Sequence, residues 1–241
     1  RQTILFSATM PQPIINIING GHTVKVKVVK KVLDANDRIA EENRKMFDQH
    51  KIFAINLMSS PGAGKTSLVE QTIKAIKNKY SIAVIEGDIQ DTYDADRIAK
   101  LKIPVVQINT GGACHIDGNM IREAFPSFDF NKIDLLIVEN VGNLVCPAEF
   151  KIGENIKVML LSTPEGADKP AKYPLMFQES AALLINKMDI MPYVDFDLKK
   201  ARRDSLALNK KLKIFEVSCK TGDGLDAWIA WLTQRIDEFK K

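Results

Sequence analysis

Residues 52–69, IFAINLMSSPGAGKTSLV, constrain the fold of this chain more than any other stretch. The apolar run at residues 52–58 suits a buried strand, and small residues from Ser59 to Gly64 form a turn. Lys65 and Thr66 then open a helical pattern. In a strand, loop and helix arranged this way, backbone N–H groups and the helix dipole bind phosphate oxygens.

This loop predicts a nucleotide phosphate site of the P-loop type. Lys65 would reach the β- and γ-phosphates, and the Thr66 hydroxyl would bind Mg²⁺. Ser59 stands where the pattern G-x-x-x-x-G-K-[ST] has its first glycine, so the strict pattern fails at one position. The predicted phosphate-binding residues are Ser60, Gly62, Ala63, Gly64, Lys65, Thr66 and Ser67.

Composition narrows the class of protein. The chain has 241 residues, is 45% hydrophobic and carries a net charge of +4. Its basic clusters lack interleaved aromatic residues, which argues against a nucleic-acid groove. No apolar run is long enough to cross a bilayer, and no signal peptide opens the chain. Three cysteines suit a reducing compartment. We therefore expect a cytoplasmic protein that binds neither nucleic acid nor membrane.

The first residues differ in kind from the rest of the chain. Residues 1–11, RQTILFSATMP, resemble the Ser-Ala-Thr segment of DEAD-box RNA helicases, but no Asp-Glu-Ala-Asp box follows. We interpret residues 1–21 as an anomalous N-terminal tail without helicase activity. No linker or repeat interrupts residues 22–241, which we predict to form one domain.

Strand and helix patterns alternate through that domain. Alternating units with nearly continuous apolar strands predict an α/β fold of the P-loop NTPase type, with a mainly parallel sheet covered by helices on both faces. The predicted strands are residues 52–58, 81–86, 103–108, 135–138, 156–161, 181–185 and 213–217. The predicted helices are residues 31–47, with one face formed by Val32, Ala35, Ile39 and Met46, then 91–101, 118–125, 198–208 and 225–239.

Acidic residues follow two of these strands. The carboxyl ends of strands carry the ligand crevice in open α/β sheets. Asp88 and, in the next loop, Asp94 are predicted Mg²⁺ ligands; the alternative is a helix cap or a solvated turn. Glu139 is predicted to face Mg²⁺ and the attacking water, and Gly142 the γ-phosphate. The predicted catalytic residues are Lys65, Thr66, Asp88 and Glu139.

A later motif predicts which nucleotide base the chain binds. Asn186, Lys187 and Asp189 follow an apolar strand, and residues 218–220 follow the next strand. The Asp189 carboxylate would accept both the N1–H and N2–H₂ groups of guanine, whereas adenine would leave it unpaired. Asn186 and Lys187 would brace the base. Ser218, Cys219 and Lys220 would offer backbone N–H groups to guanine O6, so GTP is the predicted nucleotide.

Sulfur and imidazole ligands form a further group. Cys114 and His115 follow the third predicted strand, and Cys146 lies just beyond Gly142. Thiolate and imidazole suit Zn²⁺ and accept Ni²⁺. Three ligands fall short of a closed tetrahedral site, so a two-fold dimer would complete the set. The alternative is buried thiols and a turn histidine, and we expect Cys219 to serve in packing.

Together these motifs resemble the hydrogenase nickel-insertion GTPases, the HypB family of hydrogenase maturation factors within the SIMIBI class. The resemblance covers residues 22–241 and rests on residues 59–66, 86–90, 111–115, 139–147 and 186–189. It implies slow GTP hydrolysis, a GTP-linked homodimer and Ni²⁺ or Zn²⁺ at Cys114, His115 and Cys146. The implied partners are the hydrogenase large subunit and other nickel-delivery accessory proteins. The cysteine-rich or histidine-rich N-terminal motif of some members is missing from this sequence.

Two alternatives stay open at this point. One is a related GTPase for urease nickel insertion or for maturation of cobalamin enzymes, although the Cys114-His115 and Cys146 segments favour hydrogenase. The other is a metal carrier in which the nucleotide only sets the dimer and hydrolysis is incidental.

Overall fold

The computed structural model describes residues 15–19, 22–26, 28–88 and 93–241. The helicase-like residues 1–11 and residues 89–90 of the acidic motif lie outside this part of the chain. The strands are β1 Ile15–Asn19, β2 His22–Val26, β3 Phe53–Ser59, β4 Ile82–Asp88, β5 Val105–Asn109, β6 Leu135–Glu139, β7 Ile156–Ser162, β8 Ser180–Asn186 and β9 Lys213–Glu216. The helices are α1 Val28–Gln49, α2 Lys65–Ile76, α3 Tyr93–Ala99, α4 Gly118–Ala124, α5 Cys146–Glu149, α6 Lys169–Lys172, α7 Pro174–Glu179, α8 Leu198–Leu208 and α9 Leu225–Lys240.

A seven-stranded sheet forms the centre of the molecule. Its strands lie in the order β5-β4-β6-β3-β7-β8-β9, and all neighbours pair in parallel. Every residue of β3 is buried, as expected for a strand covered on both faces. The predicted parallel α/β sheet is confirmed.

Helices cover both faces of this sheet. On one face Leu68 and Ile73 of α2 pack with Trp228 of α9 against alternate strand residues. On the other face Phe47 of α1 and Ile121 of α4 form a second core. Each large apolar side chain removed from water contributes about 1.5–3 kcal/mol. The predicted helices on both faces are therefore confirmed.

Helix α1 packs on its own domain, but through a different face from the predicted one. Val32 is 50% exposed, and the buried positions are Asn36, Ala40, Asn43 and Phe47. The two buried asparagines donate to backbone carbonyls of neighbouring loops, and these hydrogen bonds offset the cost of burying an amide. A pattern based on apolar residues alone was therefore wrong here.

Strands β1 and β2 form a separate antiparallel pair. The predicted boundary between residues 21 and 22 falls between these two strands, and the boundary stays a prediction. Within the described residues, no helix has both the length and the apolar character needed to cross a membrane. The carboxyl ends of β3, β4, β6 and β8 meet at one edge of the large sheet, where the predicted sites lie.

Candidate nucleotide site and metal site

The phosphate loop joins β3 to α2. Gly64 has φ 102°, and a Cβ there would lie 2.6 Å from Asn186 Nδ2, so only glycine fits. Lys65 is buried, and its Nζ donates to Ser59 Oγ at 3.2 Å. The serine that breaks the glycine pattern thus holds the lysine beside the loop.

Two glutamates meet behind this loop. Glu139 Oε1 accepts a hydrogen bond from Thr66 Oγ1 at 2.9 Å. Glu86 lies opposite Glu139 in the pairing of β4 with β6, and both side chains are buried. Burial and then the Glu139 charge raise the pKa of Glu86, and burial raises the pKa of Glu139. Glu86 Oε1 and Glu139 Oε2 have no hydrogen-bond partner among the described residues.

Glu86 was not among the predicted site residues. The sequence favoured Asp88, two positions later, as the better candidate in the segment at the end of the predicted strand. The signal that identifies Glu86 is its register against Glu139, which appears only once β4 and β6 are known to be neighbours. Two buried carboxylates with unpartnered oxygens beside a threonine hydroxyl fit a hard divalent cation such as Mg²⁺.

A cavity of about 250 Å³ opens above these acids. Asp94 also forms an ion pair with Arg97 at 3.3 Å. A Cβ on Gly142 would lie 2.9 Å from Pro61, so this glycine allows the strand end to approach the phosphate loop. The structure brings these predicted residues into the wall of one cavity: Gly62, Lys65, Asp88, Asp94, Glu139 and Gly142.

Arg97 was also missed by the sequence analysis. Its guanidinium lies 3.0 Å from Glu70 Oε2 and donates to Ser67 Oγ at 3.3 Å. It therefore ties α3 to the first turns of the phosphate-binding helix. No local motif marks the contacts of this arginine with Ser67 and Glu70, because those two residues belong to a different helix.

A second cavity, of about 470 Å³, lies on the other side of the phosphate loop. Asn186 Nδ2 donates to Ala63 O at 2.9 Å, and Lys187 Nζ donates to Gly62 O at 2.7 Å. Asp189 Oδ1 accepts from Ser218 Oγ at 2.7 Å. The cavity wall includes Gly64, Ser67, Asn186, Lys187, Asp189, Cys219 and Lys220.

The backbone amides of residues 218–220 differ from the prediction. The Ser218 amide donates to Asp223 O at 2.9 Å, and the Cys219 amide donates to Asn186 Oδ1 at 3.1 Å. Two of the three amides predicted for guanine O6 are therefore engaged within the protein, which leaves Lys220 as the candidate. Burial raises the pKa of Cys219 to about 11, as suits a packed thiol.

The three predicted soft ligands come together. Suitable donor atoms of Cys114, His115 and Cys146 all lie within 4.8 Å of one another. The Cys114 and Cys146 sulfurs are 2.9 Å apart as free thiols. The His115 ring stacks on Phe150 with centroids 3.9 Å apart, and burial lowers its pKa. A neutral imidazole is the form that binds a metal.

Comparisons with known proteins identify the family of this chain. The family described as "CobW/HypB/UreG, nucleotide-binding domain" matches residues 53–216. The hydrogenase maturation factor HypB of Escherichia coli K12 is 46% identical over 205 residues, covering 85% of this chain and 71% of that protein. The chain belongs to the HypB family of hydrogenase maturation factors.

Two HypB crystal structures share the fold. That from Archaeoglobus fulgidus has a TM-score of 0.79 at 37% identity and covers 84% of this chain and 99% of its own. That from Helicobacter pylori, solved in complex with nickel, has a TM-score of 0.80 at 36% identity, covering 86% and 97%. The P-loop GTPase fold predicted from the sequence is confirmed, while the individual site residues remain predictions.

Proposed function

We propose that this chain is a GTP-hydrolysing metallochaperone that binds nickel or zinc and assists nickel insertion into [NiFe] hydrogenase. One observation carries the proposal. Cys146 of the cluster lies seven residues after Glu139 in the chain, and Glu139 accepts a hydrogen bond from Thr66 at the start of α2. One short segment, residues 139–146, thus carries residues proposed for the nucleotide site and a residue proposed for the metal site.

The base-binding residues support GTP as the substrate. Asp189 would accept the two adjacent donors of guanine, and adenine would leave this carboxylate without its partners. Its hydrogen bond with Ser218 at 2.7 Å would orient the carboxylate toward the base. Asn186 fixes the distance between the base loop and the phosphate loop through Ala63.

The phosphate loop supplies the groups for hydrolysis. Lys65 and the loop amides, including that of Gly64, would stabilise the negative charge that develops on the phosphates. Thr66, Asp88, Asp94 and Glu139 would hold Mg²⁺, with Glu86 beside them. When bound, Mg²⁺ would neutralise phosphate charge during transfer to water. The Gly142 amide would contact the γ-phosphate.

The metal cluster supports a dimer as the working form. Its three soft ligands would leave a four-coordinate ion open, so a second copy of the chain would complete the set across a two-fold axis. The HypB structure from Helicobacter pylori in complex with nickel supports nickel as the cargo. The receiving partners would be the hydrogenase large subunit and other accessory proteins of nickel delivery.

Loss of the γ-phosphate would release Gly142 and shift the segment that leads to Cys146. Such coupling requires that GTP bind the two states of the metal site with different affinities. The test is the Ni²⁺ dissociation constant measured with GDP and with a non-hydrolysable GTP analogue. We expect two different values, and equal values would contradict the proposed coupling.

A further inference from the structure

We propose that Asn140 is the positioning residue that connects the nucleotide site to the Cys114 and His115 half of the metal site. This inference rests on the proposed function, because it presupposes that nucleotide and metal binding are coupled. In the proposed function, the nucleotide acts on the metal site only through the segment that leads to Cys146. The structure contains a second, independent connection.

The Asn140 side chain is fully buried and all of its polar groups are engaged. Its Oδ1 accepts from the backbone amide of Ile116 at 2.9 Å and from that of Val141 at 3.0 Å. Its Nδ2 donates to Asn56 Oδ1 at 3.0 Å. A buried amide with this many partners has one permitted orientation, so it moves together with the backbone that carries it.

Asn140 links the two sites, by a peptide bond on one side and a hydrogen bond on the other. It directly follows Glu139, whose carboxylate accepts from Thr66 at the phosphate loop. Its partner Ile116 directly follows His115. Two hydrogen bonds and two peptide bonds therefore separate Thr66, a proposed Mg²⁺ ligand, from His115, a proposed nickel ligand.

A packing contact reinforces this connection. Ile116 is fully buried, and a Cβ on Gly87 would lie 2.4 Å from its Cδ1. Gly87 lies between Glu86 and Asp88, the acids at the end of β4. Ile116 is thus held against the ends of both acid-bearing strands. A packed core of this kind switches between discrete arrangements rather than deforming gradually.

The loop of residues 114–117, which leads into Gly118 of α4, offers a matched control on the side that faces α1. Asn36 of α1 is also buried, and its Oδ1 accepts from the Gly118 amide at 2.8 Å. Its Nδ2 donates to Lys151 O at 2.8 Å. Asn36 therefore supports the segment after Cys114 and His115 with the same chemistry as Asn140, but from helix α1 and not from the segment that carries Glu139.

The experiment compares the wild-type chain with Asn140→Ala and Asn36→Ala. The Ni²⁺ dissociation constant is measured for each with GDP and with a non-hydrolysable GTP analogue. We expect a wild-type ratio in the range of about 5- to 150-fold, typical of allosteric coupling. Asn140→Ala should bring the ratio within about twofold of unity, whereas Asn36→Ala should keep it.

The outcomes separate the two proposals. A wild-type ratio of one would refute the coupling in the proposed function itself. A wild-type ratio that Asn140→Ala preserves would overturn the present inference and leave the proposed function standing. Loss of the ratio in both variants would also overturn it, because general loosening of the loop would then be the cause.

A second measurement needs no substitution and so does not depend on a variant that folds. Hydrogen exchange of the Ile116 amide is followed in the wild-type chain in both nucleotide states, with the Gly118 amide as the internal reference. We expect the Ile116 rate to change by more than about fivefold between the states, and the Gly118 rate to change less. Equal Ile116 rates would overturn the inference.

Discussion

The residues proposed to bind guanine (the guanine side) and those proposed to bind Mg²⁺ (the ion side) differ in how their buried polar groups are satisfied. On the guanine side the protein provides partners for its own polar groups, as Asn186 does with Ala63 and Asp189 with Ser218. On the ion side Glu86 and Glu139 keep buried oxygens without partners among the described residues. The difference indicates that the chain satisfies the polar groups of the proposed base site by itself, whereas the proposed Mg²⁺ site would need a cation to do so.

We expect the largest effect at the phosphate loop, which lines both the cavity of the guanine side and the cavity of the ion side. Lys65→Ala should lower the GTP hydrolysis rate by on the order of 10²- to 10³-fold, because a fixed cation beside the transferred phosphate is lost. Steady-state phosphate release measures this. Lys74→Ala, on an exposed turn of the same helix, should retain the wild-type rate.

The proposed nickel site is tested next through its two cysteines. Cys114→Ala and Cys146→Ala should each weaken Ni²⁺ binding by at least about 100-fold, since even supporting residues of metal sites contribute about 10- to 100-fold. Competition with a coloured chelator gives the affinity. The third cysteine provides the control, because Cys219 lies outside the cluster. Cys219→Ala should leave Ni²⁺ affinity unchanged, and a comparable loss there would contradict the proposed nickel ligands.

The guanine side is tested through its carboxylate. Asp189→Asn should weaken GTP binding by about 10- to 150-fold, because a charged hydrogen-bond acceptor contributes about 1.5–3 kcal/mol. Titration with a fluorescent GTP analogue measures the change, and Ni²⁺ affinity with GDP at saturation should stay the same. Asp195→Asn, on an exposed residue of the adjoining loop, should bind GTP normally.

The smallest expected effect concerns the glutamate pair. The pKa of Glu86 is raised from its ordinary value of 4.5 to about 10, first by burial and then by the charge of Glu139. Between these two values the folded chain binds more protons than the unfolded chain. The free energy of unfolding should therefore fall as the pH rises through this window.

Glu86→Gln should reduce this pH dependence in metal-free protein. Thermal unfolding between about pH 5 and about pH 8 should show a smaller fall in Tm for the variant than for the wild type. Glu41→Gln, on an exposed acid of α1, should follow the wild type. A Glu86→Gln curve parallel to that of the wild type would show that the glutamate charge is already stabilised without a cation.

Local motifs could be predicted from the sequence, whereas contacts between distant strands could not. The phosphate loop and residues 186–189 are local motifs at strand ends, so their positions followed from alternating strands and helices alone. Glu86 could not be identified in this way, because its partner Glu139 is on a strand far along the chain that becomes its neighbour only in the strand order β4-β6-β3.

Buried amides were the other features that sequence patterns did not reveal. Asn36 and Asn43 face inward on α1 because loops from elsewhere in the chain present carbonyls to them. Asn140 lies beside a predicted acid, yet its partners Ile116 and Asn56 come from two other segments. Hydrophobic periodicity contains no information about such contacts.

The most direct test of a GTP-linked metal site is the amount of Ni²⁺ bound per chain, measured with the oligomeric state. Native mass spectrometry with GDP and with a non-hydrolysable GTP analogue gives both quantities. We expect a dimer with the GTP analogue whose Ni²⁺ is held between two chains and is lost in Cys114→Ala and Cys146→Ala. Protein that binds no Ni²⁺ in either nucleotide state would contradict it.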